Sequence, residues 1–165
     1  EVIVLARTGG AAREEAGLSL DPEALVQISH WTTPEGLPKR FATWFFVGSA
    51  DATQVRVDGG EIHAHAWLTP AAALEARRAG EIELPPPTFV TLTTLLETRS
   101  TAEAIAAARA QSPLVYLPRL VRLEGGACSL YPADAGWETR DPSLEGARHR
   151  LLMLDSGWRY LRDPF

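Results

Sequence analysis

Two adjacent glutamates, Glu14 and Glu15, are the residues of this sequence that point most directly to chemistry. They belong to "GGAAREEAGLSL" (residues 9–20), where "AAREEA" is rich in strong helix formers and Gly17 is placed to end the helix as a left-handed cap. Because residues three and four apart share a helix face, both carboxylates lie close to the face of position 11. Adjacent carboxylates repel each other. A hard divalent cation such as Mg²⁺ or Mn²⁺, which prefers carboxylate oxygen, relieves that repulsion.

The two glutamates and a pair of histidines also have interpretations that involve no chemistry. The two glutamates could equally form a solvated helix face, neutralised by Arg7 and Arg13. His63 and His65 are two residues apart, so they share one face of a strand, and a His-x-His pair can bind zinc. No third ligand of the right type lies nearby in the sequence. We therefore expect packing or simple exposure for both histidines.

The composition bounds the class of protein. The 165 residues suffice for one domain with a real core, or for one domain plus an appendage. A net charge of −5 argues against a nucleic-acid polymer as partner, since such binding shows as a basic excess. The lone cysteine, Cys128, excludes an internal disulfide and a zinc ribbon. We expect an inert thiol in a reducing, cytoplasmic setting.

No apolar run approaches the roughly 20 residues of a membrane span, so we expect no membrane partner. No signal peptide is visible. Glu1 is not a usual native start, so we expect the true N-terminus to precede it.

Hydrophobic periodicity and turn residues predict an α+β chain with mostly short strands. Pro70 and Gly80 bracket one helix, and Ser100 with Glu103 forms a capping box at the start of another. Ser156-Gly157 suits a tight hairpin turn. The predicted strands are residues 2–6, 24–31, 39–50, about 55–57 and 61–68; the helices are 11–16, 70–80, from about 87, and 100–110; and the tail is β-like at 114–132 and 148–162. The strand aromatics are expected in the core or at a subunit interface: Trp31, Trp44, Phe45, Phe46 and Trp67.

The stretch "AREEAGL" (residues 12–18) resembles the end of the Nudix box, whose family pattern is G-x5-E-x7-R-E-U-x-E-E-x-G-U with U aliphatic. Three further stretches look like one branch of that superfamily: "SHWTTPEGLPKRFATWFFVG", "DGGEIHAHAWLTPAAAL" and "GEIELPPPTFVTLTTL". This branch includes the peroxisomal coenzyme A diphosphatase type and its bacterial relatives. The resemblance covers about residues 1 to 100.

The resemblance implies a fold and an activity. The fold would be a Nudix-like α/β/α sandwich around a mixed sheet, with a C-terminal helical and β-hairpin extension. We expect a Nudix-like domain at 1–112 and a β extension at 113–165 packed on the same domain. The implied reaction is divalent-metal-dependent hydrolysis of a diphosphate in a nucleoside-diphosphate-X substrate. Coenzyme A or acyl-coenzyme A is the best single guess, while ADP-ribose, nucleotide sugars and dinucleotides stay open. Relatives often pair, which leaves room for a homodimer.

The resemblance also assigns residues. Glu14 and Glu15 would bind Mg²⁺ or Mn²⁺, and Glu61 would be a third ligand or assist the catalytic base. Lys39 and Arg40, at the mouth of a strand, would meet a substrate phosphate. The basic stretch 148–150 (Arg148, His149, Arg150) could also bind phosphate, although we expect a structural role there.

This sequence departs from the family pattern at three places. Gly10 and Ala11 replace the arginine and glutamate of the box, the upstream G-x5-E has no counterpart, and Ala42 replaces an aspartate. We hypothesise that tens of residues are missing between about Arg7 and Ala12, because a strand runs into the box helix with no chain for the family's hairpin. The alternative is a true deletion, which would leave a catalytically inactive Nudix-fold binding or regulatory protein.

Overall fold

A computed structural model describes residues 24–36, 38–49 and 67–163. Within them the chain is α+β, as predicted. The strands are β1 (Val26–Thr32), β2 (Ala42–Val47), β3 (Leu114–Tyr116), β4 (Arg119–Leu123), β5 (Gly126–Leu130), β6 (His149–Leu154) and β7 (Gly157–Arg162); the helices are α1 (Pro70–Arg78), α2 (Pro86–Leu95) and α3 (Thr101–Arg109). The strands predicted at 2–6 and 55–57, residues 61–66 of the strand predicted at 61–68, and the glutamate helix lie outside the described residues. The last two residues of that third strand, Trp67 and Leu68, are described and are not in a strand. No described helix is long and apolar enough to cross a membrane.

The described strands form two sheets. The first is mixed, in the order β2-β1-β3, with β2 antiparallel and β3 parallel to β1. The second is an antiparallel meander, β4-β5-β6-β7. Pro118 separates β3 from β4 and cannot donate to a ladder, so the segment "LVYLPRLV" contributes one strand to each sheet. The α/β/α layering and the domain boundary at 112 stay predictions, although β3 joins residues beyond that boundary to β1.

The helix ends follow from capping chemistry. The Thr69 hydroxyl accepts from the Ala72 amide at 3.1 Å, and Pro70 follows it as the first helical residue. Before α3, the Ser100 hydroxyl accepts from the Glu103 amide, as the predicted capping box requires. The Glu103 carboxylate accepts from the amide of Arg99 rather than from that of Ser100, so the box closes one residue earlier than predicted.

Aromatic rings dominate the core where the two sheets meet. Trp31 on β1 stacks on Tyr116 of β3 with ring centroids 3.8 Å apart, and Tyr131 meets both rings edge-on. Phe45 is also buried, as predicted. Trp44 and Trp67 are not core residues, because they are 38% and 41% exposed. Trp44 instead stacks on His30 across the β1–β2 pair.

The β6–β7 hairpin differs from the prediction by one residue. Asp155 and Ser156 form the two-residue turn, and Gly157 opens β7 opposite Leu154. Gly157 has a φ of +128°, a conformation that side-chain-bearing residues rarely adopt. The glycine therefore terminates the turn instead of occupying it.

Candidate functional site

The predicted site residues divide between described and undescribed parts of the chain. Glu14, Glu15 and Glu61 lie outside the described residues, so their predicted metal role remains a prediction. Lys39 and Arg40 are described, and both are exposed in the β1–β2 loop. Across residues 24–36, 38–49 and 67–163, no group of three or more His, Cys, Asp or Glu side chains could hold a metal ion.

Arg40 lines a surface cavity of about 220 Å³, which we call the arginine pocket. One wall comes from the end of β1 and the loop after it. The other comes from the β3–β4 link and the long β5–β6 loop. Its lining residues are Thr32, Thr33, Glu35, Arg40, Leu117, Pro118, Arg119 and Trp137.

Hydrogen bonds across the β1–β2 loop place Arg40 at this pocket. The Thr33 amide donates to the Phe41 carbonyl at 3.0 Å, and the Phe41 amide donates to the Thr33 hydroxyl at 2.9 Å. Arg40 Nε donates to the Thr33 carbonyl at 3.3 Å. The two Nη groups of Arg40 have no hydrogen-bond partner among the described residues, so they are available to a ligand.

Arg119, the first residue of β4, also lines the pocket. Its guanidinium carbon lies 4.0 Å from the centroid of the Trp137 ring. Nη1 donates at 2.8 Å to the carbonyls of Trp137 and Glu138. The Trp137 indole N–H donates to the Leu117 carbonyl, also at 2.8 Å. These bonds fix the β5–β6 loop against the β3–β4 link.

The charge around the arginine pocket is opposite in sign to that of the whole chain. Among the residues that the structure describes, four cations and two carboxylates line the pocket or lie beside its lining residues, whereas the protein carries a net charge of −5. Glu35 is engaged by Arg140, whose Nη2 donates to it at 2.8 Å. Anionic ligands are therefore favoured here. The four cations are Lys39, Arg40, Arg119 and Arg140, and the two carboxylates are Glu35 and Glu138.

A second cavity, of about 110 Å³, lies between α2, α3 and the first sheet. Its wall combines apolar residues, such as Ile28, Leu95 and Tyr116, with uncharged polar side chains. Glu97 and Arg162 are the charged residues of its lining. Of these two cavities, the arginine pocket has the more positive lining.

A buried polar network supports the β5–β6 loop that carries Trp137. Arg150 donates from Nε and Nη2 to the two carboxylate oxygens of Asp134, at 2.7 and 2.6 Å. The amides of Gly136 and His149 also donate to Asp134. Burial alone would raise the pKa of the Asp134 carboxyl, but the hydrogen bonds from Arg150 and the two amides outweigh it, and the pKa is lowered. Asp134 is therefore charged and structural.

His149 extends this network through the core. Its Nδ1 lies 2.6 Å from the Pro132 carbonyl oxygen, which can only accept, so Nδ1 carries the hydrogen. In the neutral ring Nε2 then accepts from the Tyr160 hydroxyl at 3.0 Å, and Tyr160 accepts from Tyr116. The structural role expected for His149 and for Arg150 is confirmed. Arg150 is buried on Asp134 and does not offer its charge to a phosphate.

Sequence reasoning missed Arg119 and Trp137 as pocket residues. Arg119 follows Pro118 at the start of β4, and Trp137 lies in a loop without regular structure. Both are far from Arg40 in the sequence, and only the pairing of β3 with β1 brings that part of the chain to the β1–β2 loop. No local pattern marks either residue. A long-range contact was the missing signal.

Comparison with known proteins gives one informative similarity. The chain is 29% identical over 137 residues to the acyl-coenzyme A diphosphatase NUDT19 of Xenopus laevis. The match covers 78% of this chain and 36% of that protein, so the chain spans about a third of the relative's length. This similarity suggests the Nudix superfamily. No family model matches the chain. No solved structure matches it either.

Proposed function

We propose that this protein is a Nudix hydrolase that cleaves a diphosphate linkage in a nucleoside-diphosphate-X compound, with coenzyme A or an acyl-coenzyme A as substrate. The similarity to an acyl-coenzyme A diphosphatase carries the proposal. The "AREEAGL" pattern and the positive charge of the arginine pocket support it, because a substrate of this class carries several phosphate charges.

Glu14 and Glu15 would hold Mg²⁺ or Mn²⁺, since adjacent carboxylates offer the hard oxygen donors that these ions prefer. When bound, such a cation neutralises diphosphate oxygens and lowers the pKa of a coordinated water. Glu61 would add a third carboxylate, as a ligand or beside the base. Arg40 and Lys39 would bind anionic oxygens of the substrate and orient it.

The overall reaction is a hydrolysis. Water adds its oxygen to one phosphorus of the diphosphate, the bond from that phosphorus to the bridging oxygen breaks, and the bridging oxygen leaves with the other phosphate. The water's proton passes to a carboxylate base and then to solvent. From coenzyme A, the products are adenosine 3′,5′-bisphosphate and 4′-phosphopantetheine.

The test is product analysis with the purified chain. Coenzyme A and acetyl-coenzyme A are incubated with Mg²⁺ or Mn²⁺, and adenosine 3′,5′-bisphosphate is quantified by liquid chromatography and mass spectrometry. Chelation by EDTA should abolish its formation. ADP-ribose, a nucleotide sugar and a dinucleotide serve as competing substrates. The proposal would be overturned if the chain hydrolysed none of these compounds.

A non-catalytic Nudix-fold binder is the second candidate, and Ala11 favours it. Position 11 precedes Glu14 by three residues, so a glutamate there would share its helix face, and alanine cannot supply a ligand. The intact mass discriminates between the two candidates. A mass several kDa above 18.0 kDa would show an additional segment and allow a whole box. A mass of 18.0 kDa with no turnover would favour the binder.

A further inference from the structure

Arg119 is a partly desolvated cation with weak charge compensation. Its side chain is 23% exposed. Its carboxylate partner is Glu138, whose Oε2 lies 3.3 Å from Arg119 Nη1 and whose side chain is 78% exposed. Arg150, by contrast, has both carboxylate oxygens of a buried aspartate. Nη1 of Arg119 is fully engaged, but Nε and Nη2 have no partner among the described residues. A guanidinium in this state gains most from an added anion, because charge-assisted hydrogen bonds strengthen as water is excluded.

Arg40 supplies a second guanidinium to the same cavity. Both of its Nη groups lack partners in the described part of the chain, and its one described bond, to Thr33, is long at 3.3 Å. Two planar forks around one cavity suit the several oxygens of a phosphate group, each of which can accept more than one hydrogen bond. Of the described lining residues, Glu35 is the one carboxylate, and Arg140 donates to it.

The size of the arginine pocket limits what it can hold. Its volume of about 220 Å³ is below the ~300 Å³ at which pockets enclose whole drug-sized ligands. A molecule such as coenzyme A therefore cannot enter whole. One phosphate with part of the adjoining sugar is a better match in size and charge.

We propose that Arg40 and Arg119 bind a terminal phosphate monoester of the substrate, distinct from the diphosphate that is cleaved. The inference rests on the proposed function, because in coenzyme A this group is the 3′-phosphate of the ribose. A terminal monoester carries about two negative charges and three free oxygens near neutral pH, which two guanidinium forks can satisfy without a metal. Arg119 is then a specificity-determining residue contributed by the second sheet.

The first experiment measures binding, independently of turnover. Isothermal titration compares adenosine 3′,5′-bisphosphate with adenosine 5′-monophosphate, which differ only in the 3′-phosphate. We expect the wild-type chain to prefer the bisphosphate by about tenfold or more. Arg119→Gln and Arg40→Gln should each reduce that preference to about twofold. Arg122→Gln is the matched control, because Arg122 is exposed on the same strand and does not line the pocket.

The second experiment measures turnover of coenzyme A and of 3′-dephospho-coenzyme A. Arg119→Gln should raise KM for coenzyme A much more than KM for the dephospho compound, with little change in kcat for coenzyme A. If neither coenzyme A nor any of the other diphosphate compounds is cleaved but the bisphosphate preference is present, the proposed function is wrong and the phosphate site stands. If both compounds are cleaved with equal kcat/KM and no preference is measured, the phosphate site is wrong and the function stands.

Folding of the variants is checked by circular dichroism. Arg119 bridges two loop carbonyls, so Arg119→Gln could unfold that loop. Arg40→Gln removes an exposed side chain that makes one long hydrogen bond. The proposal therefore requires that this variant lose the bisphosphate preference, whatever happens to Arg119→Gln. Arg119→Lys keeps the charge but not the fork, and should retain an intermediate preference. Equal binding of both nucleotides by the wild-type chain, or an equal loss in Arg122→Gln, would overturn the inference.

Discussion

Asp134 and Arg150 form a buried ion pair through two parallel hydrogen bonds, with side chains 0% and 6% exposed. Nη1 of Arg150 also donates to the Pro142 carbonyl at 2.6 Å. Arg150 therefore joins β6 to the loop that carries Trp137 on both sides of that tryptophan. A wall of the arginine pocket depends on a charge pair that does not line the pocket.

Asp134→Asn should destabilise the fold strongly. The amide keeps the shape of the carboxylate but not its charge, so Arg150 is left buried without compensation, at a cost of about 3–5 kcal/mol. The free energy of unfolding from urea titration measures this. Glu75→Gln is the control, since it breaks an exposed Glu–Arg pair on α1 and should leave the urea midpoint almost unchanged. Equal midpoints for the two variants would contradict the structural role of Asp134.

Stability should fall as the pH drops below about 6.5, because of His149. Burial lowers the pKa of this histidine; the Pro132 carbonyl opposes that shift, and the charge of Arg162 adds to it. In the window between the lowered pKa and 6.5, the unfolded state binds a proton that the folded state does not, so folding loses at most ~1.4 kcal/mol per pH unit. Above 6.5 neither form is protonated, and this loss disappears.

The measurement for His149 is urea unfolding at about pH 7.5 and about pH 5.5, a range above the titration of most carboxylates. The wild-type chain should be less stable at the lower pH. His149→Gln should be less stable than the wild-type chain at both values but should show a smaller difference between them. The same difference in the variant as in the wild-type chain would assign the pH dependence to other groups.

Cys128 should be unreactive in the folded protein. The side chain is fully buried on β5, and burial raises the pKa of the thiol to about 11. Only the thiolate reacts readily, so a thiol reagent at mildly alkaline pH should label almost no protein until denaturant is added. Because the sequence has a single cysteine, labelling reports on this position alone. Rapid labelling of the native chain would show that β5 is accessible.

If the chain hydrolyses a diphosphate, Glu15→Gln should lower kcat by at least ~10²-fold with the fold intact, because a charge that stabilises the reaction is lost. Glu14→Gln should behave similarly, and Glu61→Gln should have a milder effect. Glu124→Gln is a suitable control, since this glutamate is exposed in the β4–β5 turn. Near-normal turnover in Glu15→Gln would remove the metal assignment.

The helices and strands that the sequence predicted correctly are those whose limits are set by neighbouring residues. Pro70 and Gly80 mark the limits of α1, and Ser100 marks the start of α3, because caps and breakers act on neighbouring backbone groups. The aromatic run of β2 and the β6–β7 hairpin are equally local. These elements could be derived without knowing where the rest of the chain lies.

The pairing of distant elements could not be derived in this way. Nothing in "LVYLPRLV" indicates that its first half pairs with β1 while its second half begins another sheet. The sequence does not distinguish the two arginines of the basic stretch at 148–150. In the structure, Arg150 is buried against Asp134, whereas Arg148 donates to the nearby Leu144 carbonyl. The pocket role of Arg119 depends on the same long-range pairing. Arg150 is buried because it pairs with Asp134, 16 residues earlier, and nothing within the stretch 148–150 indicates that partner.

The stacking of Trp31 on Tyr116 has a consequence for biosynthesis. These rings belong to residues 85 positions apart, and β1 gains its parallel neighbour β3 only when residues 114–116 are available. Closing so long a loop is entropically costly, and chains with distant contacts fold slowly. On the ribosome, β1 and the three helices must therefore emerge before their shared aromatic centre can form. Until then Trp31 lacks its stacking partner, and its apolar ring can bind chaperones or make non-native contacts.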